Sequence, residues 1–178
     1  MKSSEFFAVL SARLARKGAA QGMRAGAASE QIDAIEHNCA LAVPPALRDW
    51  LSLADGMGVA AAGTLPRRLC LLGAQEIVAQ WQNNCHAAQW LSSVGVEAID
   101  STDGLVSTDP RIRSVAAHVA WLPIATDEDA HRQVLIDYAP TERGVARQII
   151  EVDAEATEWR WLAPDLEALW DLWAARIR

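Results

Sequence analysis

Between residues 115 and 152 the chain alternates short apolar segments with turn-forming ones, and this spacing constrains the fold more than any other feature. Residues 115–125 read as a strand built on Val119, Trp121, Leu122 and Ile124. Pro123 within it demands an edge position or a bulge, because proline brings no N–H to a ladder. Residues 126–131, Thr-Asp-Glu-Asp-Ala-His, are a polar turn. Residues 133–138 form a second strand, with Val134, Ile136 and Tyr138 on one face and Leu135 and Asp137 on the other. Pro140 to Gly144 turn the chain, and residues 145–152 form a third strand. Parallel neighbours need a crossover of a dozen or more residues, so turns this short predict an antiparallel meander. Trp159 and Trp161 mark a short fourth strand.

Helical spacing surrounds this block. Phe6, Val9, Leu10 and Leu14 recur on one face of a helix over residues 4–17, with Gly18 where a left-handed cap belongs. A Gly/Ala-rich connector follows. Ser29 is placed to cap a second helix carrying Ile32, Ile35 and Cys39, with Glu30 and Asp33 in its first turn. Pro44 and Pro45 open a third, where Leu47, Trp50, Leu51 and Ala54 recur until Gly56. After a short apolar strand at residues 69–72, a long helix over residues 74–94 carries Ile77, Trp81, Cys85, Ala88 and Leu91 on its main stripe and leaves Trp90 off it. Residues 96–114 are turn-rich, with room for one short strand. Pro164 opens the last helix, whose stripe is Leu166, Leu169, Trp170, Trp173 and Ile177. The reading is an α+β domain. Its antiparallel or mixed sheet packs against N-terminal helices, a middle helix and a C-terminal helix.

At 178 residues this is one domain; residues 1–28 read as an N-terminal helix and connector preceding a single domain over residues 29–178. The formal net charge of −7 argues against nucleic acid, whose phosphates select a cationic face, and against anionic lipid. No apolar run spans a bilayer, and Glu5 and Arg13 flank too short a run for a secretory signal. Cys39, Cys70 and Cys85 are too scattered for a disulfide framework or a zinc site, so they read as reduced thiols in a cytoplasmic protein.

The chain carries no nucleophile elbow, dinucleotide fingerprint, phosphate loop or HExxH motif. Cys85 and His86 are neighbours on a helix and diverge by about 100°, so they do not form a dyad. The densest polar cluster is Asp127, Glu128 and Asp129, with His131 beyond. The simplest reading is a solvated turn. Its oxygens could also serve a metal-dependent hydrolase, although the glycine and downstream glutamate of a calcium loop are missing. A third reading is an acidic recognition patch that speeds encounter with a cationic partner. Asp100, Asp103 and Asp109 could extend that patch, and an exposed Trp90 could anchor an interface. Asp137 reads as structural, either solvent-facing by alternation or paired with an arginine.

Two stretches together resemble the SUKH superfamily, which includes fungal cell-wall-assembly regulators and bacterial immunity proteins. The first runs from Ser29-Glu30-Gln31-Ile32 through Glu36 and Val43-Pro44-Pro45 to Trp50-Leu51 and Asp55-Gly56. Here Val43 stands for the usual Leu and Asp55 for the usual Asn. The second is Trp121-Leu122-Pro123-Ile124, then Asp137 to Pro140, Gly144, and Gln148-Ile149-Ile150. Ala130 and Arg147 stand where the pattern expects glycines. The resemblance assigns structural roles to Glu36, Pro44, Trp50, Gly56, Trp121, Pro123, Asp137, Pro140 and Gly144. It implies a non-enzymatic binding protein without metal or cofactor, foremost an immunity protein docking on a cognate toxin domain such as a basic nuclease. An intracellular scaffold or regulator is the alternative. The oligomeric state is open.

Overall fold

The computed structural model describes residues 1–61, 63–95 and 107–177. Among these, five α-helices surround one sheet. The helices are α1 (Ser3–Arg16), α2 (Ser29–Cys39), α3 (Pro45–Leu53), α4 (Ala74–Ser93) and α5 (Leu166–Ile177). The strands are β1 (Cys70–Leu71), β2 (Ser107–Thr108), β3 (Trp121–Thr126), β4 (Arg132–Asp137), β5 (Gln148–Asp153) and β6 (Glu158–Ala163). Their order is β1-β3-β4-β5-β6-β2. The five strands from β1 to β6 pair antiparallel, and β2 adds a parallel edge on β6, so the α+β sheet is mixed.

The two faces of β4 divide the interior as the alternation predicts. Val134 and Ile136 join the main core with Leu122, Ile124 and Ile149, beneath α1, α3 and α5. Leu135 turns the other way, into a smaller cluster with Ile112, Trp121, Ile150, Val152 and Trp159. At the centre of the main core Phe6 of α1 stacks on Trp170 of α5, centroids 4.5 Å apart, and Trp50 of α3 lies 5.7 Å from both. Phe6, Leu10 and Leu14 are fully buried, so α1 belongs to the same core as the helices that follow it.

Three boundaries differ from the sequence reading. Ser29 is the first residue of α2, and Ala28 takes the cap position, its N–H donating to Gln31 Oε1 (2.8 Å). Residues 115–120 are not strand. They form a looped segment held from the side by α4, whose Trp81 Nε1 donates to the Val119 carbonyl (2.8 Å). β5 begins at Gln148, because Arg147 takes a left-handed φ of 70° that ends extended pairing. Pro123 lies at a bulge between Pro123 and Ala125, beyond the end of the two-residue β1. Ala130 and Arg147, the two places where glycine was expected, both have positive φ (55° and 70°), so the turns keep a glycine-like backbone despite carrying side chains.

Candidate functional site

Several residues of the resembling motif tie one element to another or lie inside the core. Glu36 Oε1 accepts from Val43 N–H (2.8 Å) and ties α2 to the approach of α3. Pro44 occupies the N-cap of α3, and Trp50 is fully buried. Gly56 takes a φ of 79° in the loop toward β1. Asp55, standing for the usual Asn, reaches forward instead: its Oδ1 accepts from Ala74 N–H (2.7 Å) at the start of α4.

Asp137 is fully buried and neither faces solvent nor pairs with an arginine. Its Oδ1 accepts from Trp121 Nε1 (3.0 Å) and from Ala139 N–H (2.9 Å), and its Oδ2 accepts from Gln148 Nε2 (2.9 Å). Gln148 Nε2 also donates to the Arg111 carbonyl (2.9 Å), and its Oε1 accepts from Val145 N–H (3.2 Å). A Cβ on Gly144 would sit 2.6 Å from both the Arg111 carbonyl and Pro140 Cβ, and 2.8 Å from Gln148 Oε1, so this turn closes only over glycine. Trp121, Asp137 and Gln148, all buried, therefore form one clasp at the end of the β3–β4–β5 sheet, with the turn from Pro140 to Gly144, half-buried at both ends, packed over it.

The acidic turn lies at the opposite end of β3 and β4. Asp127 is folded inward: its N–H donates to the Arg132 carbonyl (3.1 Å), and its Oδ1 accepts from Arg132 N–H (3.0 Å). This holds Glu128 and Asp129 exposed at the tip. Beneath them a cavity of about 270 Å³ opens between the turn and β1. Met57, Leu71 and Leu72 supply apolar wall, and the carboxylates of Glu76, Asp127 and Glu128 stand around it. Arg68 is the one cation in the lining, 3.7 Å from Glu128, and both side chains are largely exposed. The Cys70 thiol also lines it. Burial, and then the negative charges of Glu76 and Glu128, push its pKa up, so it remains a neutral thiol.

Behind the turn runs a charge ladder that no local pattern announced. Arg132 Nε and Nη2 donate to Asp153 Oδ2 (2.9 and 2.5 Å). Arg67 Nη1 donates to Glu151 Oε1 (2.9 Å) and lies 3.8 Å from Asp153. Glu151 and Asp153 are both buried. Burial pushes the Glu151 carboxyl above its ordinary range, and Arg67 and Arg132 only partly pull it back. Burial opposes ionisation of Asp153 as well. There the Ala156 N–H and Arg132 prevail, and its pKa falls below the ordinary range.

The other candidate residues do not join this site. Asp109 is clamped by Arg111, whose Nε and Nη2 donate to Oδ1 and Oδ2 (2.9 and 2.8 Å), and that guanidinium stacks 3.9 Å over Trp161. The Arg111 hydrogen bond holds the Asp109 pKa down. Asp109 follows β2, which is four strand spacings from β3, roughly 19 Å. Asp100 and Asp103 lie outside the described residues. Trp90, on α4, is 63% exposed. Among the described residues no three His, Cys, Asp or Glu side chains converge as a metal site requires, and no helix is long and apolar enough to cross a membrane. The three cysteines are free thiols, and burial raises the pKa of Cys39 to about 12.

The family model described as SMI1 / KNR4 family (SUKH-1) matches residues 26–171, which include both motif stretches, the clasp and the acidic turn. The chain belongs to the SMI1 / KNR4 family (SUKH-1). No curated protein matches this SUKH-1 chain. The SUKH-1 match begins after α1, although that helix contributes three fully buried side chains to the core.

Proposed function

We propose that this chain is a non-enzymatic binding protein that docks on a basic protein through the β3–β4 turn, and that it serves as the immunity partner of a toxin domain. Membership of SUKH-1 fits a binding role without catalysis at the level of the family. The observation that carries the docking surface is the inward-folded Asp127, which holds Glu128 and Asp129 out beside the cavity under the turn. A lysine or arginine from a partner suits this combination. Its aliphatic stem lies against Met57 and Leu71, and its cation meets carboxylates at the mouth. The chain's net charge of −7 adds long-range attraction to a cationic cleft such as that of a nuclease, and raises the association rate.

The test is affinity capture of the partner from the native host, then co-expression of the captured protein with this chain, scored for rescue of growth, with association rates measured on the purified pair. The on-rate falls at least tenfold between 50 and 500 mM salt as steering is screened, to order of magnitude. The double substitution Glu128→Lys, Asp129→Lys abolishes rescue. A salt-independent on-rate together with full rescue by that variant would remove this surface from the mechanism.

A further inference from the structure

Residues 77–95 contain no Asp, Glu, Lys or Arg, in a chain that is 22% charged. They make up most of α4, whose buried residues are only Ala74, Ile77 and Cys85. Its outward face carries Gln75, Ala79, Gln82, Asn83, His86, Ala87 and Trp90, all exposed. Most of a surface helix is therefore neutral and open to solvent, which is unusual on a chain of net charge −7. Beside the first half of this face, α2 and α4 enclose a groove of about 410 Å³, lined by Ala34, Val78, Ala79 and the amides of Gln31, Asn38 and Gln82. Glu30 is the one charged residue in that lining.

Ala79 and Trp90 are eleven residues apart, about three helical turns, so they lie on the same face roughly 16 Å apart along the axis. That relation is self-complementary. When two copies of α4 cross antiparallel about a two-fold axis beside residues 84 and 85, Trp90 of each lies over Ala79 of the other. Each indole then enters the partner's α2–α4 groove, whose volume is in the range that holds compact ligands. We propose that this chain pairs with a second copy of itself through the outward face of α4, each Trp90 seated in the groove beside Ala79 of its mate.

Charge favours α4 as the face for this occupant. Two copies each carrying −7 repel one another, and the repulsion is small where each touching surface holds a single carboxylate, that of Glu30 at the groove. The contact is isologous, so one patch serves both sides. It buries the contact strip of α4 and two indoles of about 150–250 Å² each, a small interface of the weak, reversible kind. Glu128 and Asp129 are not part of this face, so the pairing stands or falls independently of the docking proposed above.

The experiment is sedimentation velocity and light scattering on the full chain from 5 to 500 μM. The mass is expected to rise from 19.3 kDa toward twice that value with concentration. It should not fall back when salt is raised, since no ion pair holds the seam. Trp90→Ala removes the inserted ring, and Ala79→Glu places two carboxylates in the seam while leaving the indole intact. Both sites are exposed, so the helical circular dichroism should stay unchanged while each variant weakens pairing at least tenfold. A 19.3 kDa species at every concentration would overturn the proposal, as would a dimer that neither substitution weakens.

Discussion

Replacing Asp137 by Asn keeps the shape of the clasp and inverts half of its chemistry. In the wild type both oxygens accept, and three donors converge on them: Trp121 Nε1, Ala139 N–H and Gln148 Nε2. An asparagine presents one oxygen and one NH₂. If the amide nitrogen takes the Oδ1 position it opposes two donors; if it takes the Oδ2 position it opposes Gln148 Nε2. Gln148 could rotate its own amide to relieve the second conflict. Its nitrogen would then face Val145 N–H, and its oxygen would face the Arg111 carbonyl, so the mismatch moves without vanishing. At about 1–3 kcal/mol for each unsatisfied buried group, and with the charged acceptor lost, Asp137→Asn should cost about 3 kcal/mol. For a domain of this size that is a fall of roughly 6–12 °C in Tm. Urea unfolding followed by tryptophan fluorescence measures it, with the midpoint shifted and the slope unchanged. Trp121→Phe removes a single donor and should cost less. In a double-mutant cycle the two changes should couple by at least about 0.5 kcal/mol. A loss under about 0.5 kcal/mol for Asp137→Asn, or strict additivity in the cycle, would refute the clasp as described.

Three further outcomes are expected. Ala130→Gly and Arg147→Gly relieve left-handed backbone at φ 55° and 70°, and should each raise stability by about 0.5–1 kcal/mol once the entropy of glycine is deducted, readable as a higher Tm. Leu10→Ala should cost about 3 kcal/mol by opening a cavity in the main core, and a cost near zero would show that α1 is dispensable to it. The pH dependence separates the two buried carboxylates of β5. Glu151 has a raised folded pKa, so its stabilising contribution is present below its ordinary value of 4.5 and is lost as pH rises through the folded value. Wild-type stability relative to Glu151→Gln should therefore fall as pH rises above the ordinary value of 4.5. Asp153 has a lowered pKa, so its contribution is present above the ordinary value of 3.8 and is lost only as pH falls through the folded value. Relative to Asp153→Asn, the wild type should lose its advantage on acidification. Chemical denaturation at a series of pH values reads both slopes.

Features encoded over short distances were legible in the sequence. The Pro44-Pro45 step fixed the start of α3, the stripe from Leu166 to Ile177 fixed the buried face of α5, and alternation in β4 divided its side chains between two clusters correctly. Trp90 was identifiable as exposed because it falls off the stripe of α4. What stayed hidden depends on partners far apart in the chain. Arg67 reaches Glu151 across 84 positions, and Asp137 is satisfied by a tryptophan and a glutamine where an arginine was the natural expectation. Residues 115–120 have the apolar content of a strand, yet the long-range bond from Trp81 to Val119 holds them as a loop. The acidic candidates were named from composition, and only geometry shows Asp127 and Asp109 already committed to Arg132 and Arg111 while Glu128 and Asp129 project outward.

The brevity of β1 bears on how the protein behaves at high concentration. Its two residues end the sheet on one side, and the Leu71 carbonyl on that margin already accepts from Met57 N–H (2.8 Å). A foreign extended segment finds no row of free backbone groups there to continue. Strand addition and fibril templating are thereby closed off at this margin, and any molecule that recognises it must read side chains.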